Sequence, residues 1–171
     1  MKLNKILVAA CASLCLNAVA DEGHAPAQMP KEFDTLKQLV GTWEGVNKMH
    51  GQDMLMTVTY EVTSGGTAVA ERLGPGTPHE MLTVYHKEGK SLGVTHFCAM
   101  GNSPQMHLKK AESNLLAFEM TKAEGVSSMK ESHMHAVTLK MPDADTLTQE
   151  WVSYEGGKKA DTAIFTFKRK K

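Results

Sequence analysis

From Thr42 to Lys168 apolar residues recur at every second position, and turn-forming residues interrupt them at intervals of about eight to twelve. A side chain that alternates faces in this way belongs to a strand half-buried against a core. The pattern predicts ten strands: Thr42–His50, Met54–Thr63, Thr67–Leu73, Glu80–Lys87, Ser91–Met100, Gln105–Lys110, Leu115–Met120, Ser132–Lys140, Leu147–Tyr154 and Ala160–Lys168. Between them stand Gly51-Gln52, Ser64-Gly65-Gly66, Gly74-Pro75-Gly76, Glu88-Gly89, Gly101 to Pro104, Pro142-Asp143 and Gly156-Gly157. These are reversal sequences, because Gly tolerates positive φ and Pro, Asn and Asp favour turns. Ahead of the strands the period is 3.6: Pro30 opens a short helix, Phe33, Leu36, Leu39 and Val40 share its face, and Gly41 ends it. An all-β chain of ten consecutive antiparallel strands hides its edges by closing, so the expected fold is an up-and-down β-barrel preceded by one short helix. A barrel of that size encloses an interior able to hold a small molecule.

The first twenty residues have a different character. Lys2 and Lys5 precede the apolar run Ile6 to Leu16, and Ala18-Val19-Ala20 supplies a small-x-small cleavage site. The run is too short for a stable bilayer span. The expectation is therefore a signal peptide over 1–20 and a periplasmic or secreted protein. The alternative is a lipoprotein modified at Cys11 in Val8-Ala9-Ala10-Cys11, which leaves few apolar residues ahead of the cysteine. Residues 21–29 read as a loose N-terminus and 30–171 as one domain, without repeats or low-complexity tracts.

Export removes two lysines and takes the formal net charge from zero to minus two. No basic face stands out, so nucleic acid is not an expected partner. Cys11 and Cys15 leave with the leader, and Cys98 is then alone in an oxidising compartment. No intramolecular disulfide can form, and such a thiol must be buried, metal-bound or reactive.

Parity proposes the interior faces. Met54, Met56, Val58, Tyr60 and Val62 form one; Leu92, Val94, His96 and Cys98 another; Leu116, Phe118 and Met120 a third. His133 and His135 share the face of Val137 and Leu139. The segment from His79 to His107 concentrates His, Cys and Met, with Phe97 expected outside.

Two sets of residues carry a resemblance. Leu39-Val40-Gly41-Thr42-Trp43 resembles the Gly-x-Trp opening of the calycins, which are the lipocalins, fatty-acid-binding proteins and nitrobindins. The resemblance implies that Trp43 closes the narrow end of a barrel. Pro75 to Met81, Thr83-Val84-Tyr85-His86, Thr95-His96-Phe97-Cys98, Gly101 to Met106, His133-Met134-His135 and Asp143 to Trp151 resemble an uncharacterised bacterial family of exported lipocalin-like proteins. That likeness implies the barrel and draws attention to the His and Cys positions as working residues. Nitrobindins hold haem through a histidine near the end of the barrel; no histidine follows His135 here, so that mode is not expected.

The chemistry divides three ways. The first reading is a small-molecule-binding barrel with a largely apolar ligand, lined by Met54, Met56, Tyr60, His79, Tyr85, His96, Cys98, Phe118, His133 and His135. The second is a metal site, since His96, Cys98, His133 and His135 could ligate Zn or Cu, with Met100 and Met106 favouring Cu(I). Against it, histidines on an apolar face are commonly satisfied core residues, and no compact metal motif is present. The many methionines read first as deformable core filler, being scattered rather than set in Met-x-x-Met runs. The third reading is a metal-free enzyme with Cys98 activated by His96. Glu44, Glu61, Glu71, Glu119 and Glu150 are spread without a site-like spacing, with Glu119 and Glu150 read as solvent-facing, and no phosphate loop or triad signature occurs.

Overall fold

The computed structural model describes residues 27–49 and 52–171; the expected leader and its cleavage site lie outside them. Ten antiparallel strands follow one another around a closed barrel, each paired with its sequence neighbours and the last with the first. They are β1 (Gly41–Met49), β2 (Gln52–Thr63), β3 (Ala68–Leu73), β4 (Met81–Glu88), β5 (Ser91–Phe97), β6 (Gln105–Glu112), β7 (Leu115–Glu119), β8 (His133–Asp143), β9 (Thr146–Glu155) and β10 (Lys158–Arg169). The all-β architecture and its strand order are those expected from the period-two pattern.

The helix is shorter than the apolar spacing suggests: α1 covers Phe33–Lys37, flanked by single turns, rather than the whole of Pro30 to Val40. Its job is to stopper the barrel. Phe33 and Leu36 are buried, as is Leu39 just beyond the helix. Trp43 is 1% exposed, donates from Nε1 to the Leu39 carbonyl at 2.8 Å and lies 4.0 Å under the Arg169 guanidinium. Arg169 in turn donates to the carbonyls of Val40 and Gln38. This end is held shut by apolar burial, a cation–π contact and three hydrogen bonds at once.

The opposite end carries the longer connections: Gly74–Glu80, Cys98–Pro104 and Met120–Ser132. The last of these folds back onto the second. Ser103 N donates to Gly125 O at 3.0 Å, Gln105 N to Glu124 O at 3.1 Å, and Asn102 Nδ2 to Glu131 Oε1 at 2.8 Å. Gly125 has φ +74°, and a Cβ there would fall 1.8 Å from the Ser103 carbonyl oxygen, so only glycine permits this approach. Val126 and Met129 tuck under the loop against the core.

Three expectations of detail give way. β5 ends at Phe97, so Cys98 and Met100 stand in the turn beyond it, where Gly101 N closes onto Cys98 O. The face of β2 is buried only in its middle: Val58 and Tyr60 are inside, while Met54 and Val62 are exposed where the strand runs past the barrel wall. β8 continues through Pro142, with irregular pairing between Lys140 and Asp143, and reverses only between Asp143 and Thr146.

Candidate functional site

The interior is mainly apolar, and four of its polar residues stand in one row. Register places Tyr60 on β2 beside Glu71 on β3, Glu71 beside Thr83 on β4, and Thr83 beside His96 on β5. Side chains directly opposite on neighbouring strands share a face and touch. All four are buried, Glu71 fully and His96 with 2% exposure. From the facing wall β9 contributes Gln149 and Trp151, also buried.

These groups hydrogen-bond in three adjoining sets. Tyr85 donates to Glu71 Oε2 at 2.7 Å. Gln149 Nε2 donates to the Tyr60 hydroxyl, and Trp151 Nε1 donates to Gln149 Oε1 at 3.2 Å. Thr83 Oγ1 and His96 Nδ1 lie 2.9 Å apart, and the His96 ring sits 4.4 Å from that of Trp151. Two atoms remain without a partner: Glu71 Oε1 and His96 Nε2. A buried polar atom left unpaired costs about 1–3 kcal/mol, so two in one row mark a place where structure has been spent on something other than stability.

Electrostatics follow from burial. Glu71 has its pKa raised because burial disfavours the carboxylate; polar neighbours, first the Tyr85 hydroxyl that donates to it, oppose the rise without cancelling it. The Tyr60 and Tyr85 hydroxyls are likewise pushed up, first by burial and then by Glu71. His96 is lowered to about 4 by burial. In neutral solution His96 is uncharged.

The residues expected in a site therefore separate into three places. Tyr60, Tyr85, His96 and Phe118 are in the interior. Met54 and His79 are exposed at the loop end, Met56 is half-buried, and Cys98 is partly covered in its turn. Burial pushes the Cys98 thiol up, against hydrogen bonds from the Met100 and Ala99 backbone, so it stays protonated in neutral solution.

His133 and His135 form a third group near the loop end. The β8–β9 ladder is irregular between Met134 and Ala136, yet His135 stays buried in step with His133 and Val137, and its ring stacks on Tyr154 at 3.8 Å. His133 Nδ1 donates to the Glu131 carbonyl at 2.6 Å, which leaves Nε2 to accept from His135 Nδ1 at 3.2 Å. His96 contacts Thr83 and Trp151 instead. The four expected metal ligands are thus not gathered, and among the described residues no three His, Cys, Asp or Glu side chains are placed to hold a metal ion.

Glu71, Thr83 and Gln149 are the members the pattern could have revealed. Each is a single polar residue at an apolar parity: Glu71 between Val69 and Leu73, Thr83 between Met81 and Tyr85, Gln149 between Leu147 and Trp151. Two surface hollows, of about 290 and 420 Å³, lie at opposite ends of the barrel, beside α1 and beside the Asn102–Glu131 contact, and neither includes the row.

No protein-family model matches this chain, and no curated protein matches it. What the geometry defines is a class: a closed ten-stranded antiparallel barrel, consistent with a calycin-like fold, with a polar row in its core. Among the described residues no helix is long and apolar enough to cross a membrane.

Proposed function

We propose that this protein is an exported binding barrel that takes a small, largely apolar molecule into its interior and orients it on the Glu71–His96 row. The observation that carries this reading is the pair of unpartnered atoms, Glu71 Oε1 and His96 Nε2, set on one row within a mainly apolar interior. A few convergent polar groups in an apolar enclosure are the usual make-up of a small-molecule site.

Burial of ligand surface supplies the affinity, and the polar pair fixes the pose. α1 stoppers one end, so the ligand enters at the loop end by displacing Val126 and Met129. The interior makes room because methionines fill it: Met106 and Met120 are buried, and Met56, Met81 and Met134 pack at the margin. Methionine repacks at small cost because its side chain is unbranched and flexible.

The test is native mass spectrometry of the chain purified after expression with its leader. The expected result is a mature mass beginning at Asp21, with a non-covalent adduct that is lost on denaturation. A chain free of any adduct, unstabilised by every member of a panel of small apolar molecules, would overturn the binding reading. A lipid-modified Cys11 would overturn soluble export alone.

A further inference from the structure

The chemistry of the row also restricts what the ligand carries. We propose, resting on the binding reading above, that the lumen selects a neutral molecule bearing a hydrogen-bond-accepting carbonyl or ether and rejects a carboxylate.

The first support is the absence of a counter-charge. Among the described residues no lysine or arginine is buried, and Arg169, the one over Trp43, lies at the stoppered end. A carboxylate in this interior meets no cation, and an unpaired buried charge is costly. His96 does not substitute, since burial keeps it neutral. It would also lie next to Glu71, itself an acid.

The second support is the direction of the hydrogen bonds. Tyr85 directs its hydroxyl proton to Oε2 of Glu71. Burial favours the neutral carboxyl, whose own proton then resides on Oε1, the atom without a partner. Protonated there, Oε1 is a buried donor without an acceptor, and a donor requires an acceptor. Two strand spacings, about 10 Å, separate the backbones of Glu71 and His96, with Thr83 between them. One modest molecule spans that distance. Trp151 closes the far side of His96 and reports on the site.

The experiment uses two probes that share a chain and differ in the head: methyl decanoate and decanoate. Each is titrated into the mature protein near neutral pH, followed by calorimetry and by Trp151 emission in a Trp43→Phe background. The ester is expected to bind at least about tenfold more tightly than the acid, which must either bury an unpaired charge or take up a proton first. Glu71→Gln keeps an N–H donor at the same place and is expected to hold ester affinity within about threefold. Glu71→Leu removes the donor and is expected to lose about tenfold for the ester, with the barrel's far-ultraviolet dichroism unchanged.

Decanoate binding as tightly as the ester would overturn this inference and leave the binding reading standing. Ester affinity unchanged in Glu71→Leu would overturn it too, since Oε1 would not be the contact. Neither probe giving heat or altering Trp151 emission up to millimolar concentration would overturn the binding reading, and this one with it.

Discussion

Glu71 and His96 pull the pH dependence of stability in opposite directions, and the two slopes can be separated. The folded-state pKa of His96 is about 4 against 6.5 for the free side chain, so the unfolded chain binds the extra proton between those values. Its contribution is complete above pH 6.5 and lost as the pH falls toward 4, for about 3 kcal/mol in all. Its neighbours Thr83 and Trp151 are uncharged, so the effect belongs to burial alone. His135 adds a smaller change of the same sign, from burial and then from His133, partly offset by Glu119. His96→Gln is therefore expected to flatten most of this acid-side slope in urea-unfolding series; an unchanged slope would place the proton elsewhere. For Glu71 the sign reverses. Its raised pKa means that stability is complete below the ordinary value of 4.5 and declines as the pH climbs through the folded value. The groups around it, Tyr60, Tyr85, Thr83 and Gln149, are neutral and offer a carboxylate no compensating charge. Glu71→Gln is expected to raise the unfolding midpoint in neutral solution, with the gain vanishing below pH 4.5. A variant that lowers the midpoint at every pH would show that the amide cannot keep the Tyr85 contact.

At the scale of elements, each connection at the loop end trades freedom for a particular closure, and glycines show where. Gly125 and Gly76 have nearly equal φ, +74° and +75°. A Cβ at Gly76 meets nothing within 4 Å, whereas one at Gly125 meets the Ser103 carbonyl. Gly76→Ala is expected to cost only left-handed strain, about 1 kcal/mol. Gly125→Ala adds a backbone collision, is expected to cost about 1–3 kcal/mol more, and should free the Ser103 and Gln105 amides to exchange. Equal exchange in the two variants would contradict the proposed docking of the Met120–Ser132 loop.

The same end is where the sequence was least legible. Alternation located every strand because each buries one face, and period two is all that burial requires. It ran past the end of β5, since Cys98 and Met100 continue the parity although Asn102 and Gly101 already turn the chain back. It did place His133 and His135 on the buried face of Val137 and Leu139, although the ladder irregularity beside them leaves no mark in the period. Glu71 was passed over for a different reason. The spacing of carboxylates along the chain says nothing about the register that sets Glu71 beside Tyr60 and Thr83.

For the molecule as a whole, closure depends on the seam between the first and last strands. β1 and β10 share only the ladder pairs Trp43–Arg169 and Glu44–Lys168. Beyond them Gly45 lets the chains approach so closely that a Cβ would sit 2.1 Å from the Thr166 carbonyl oxygen. Asn47 then serves in place of backbone: Thr166 N donates to its Oδ1 at 2.7 Å, and its Nδ2 donates to Thr166 O at 3.3 Å. One buried side chain thus satisfies both polar groups of a residue that the ladder leaves unpaired. Asn47→Ala strands both, and the expected loss is about 1–3 kcal/mol. A barrel wrapped round a single core should melt as a unit, because opening the seam exposes the lumen from both ends. The two tryptophans test this. Trp43 lies at the stoppered end beside the seam, and Trp151 stands on β9 within the row. In Trp43→Phe and Trp151→Phe backgrounds, each with one emitter left, Asn47→Ala is expected to shift the denaturant midpoint by the same free energy. If only the Trp43 signal moved, the seam would be an independently melting edge, and the barrel would owe its integrity to the nine other pairings.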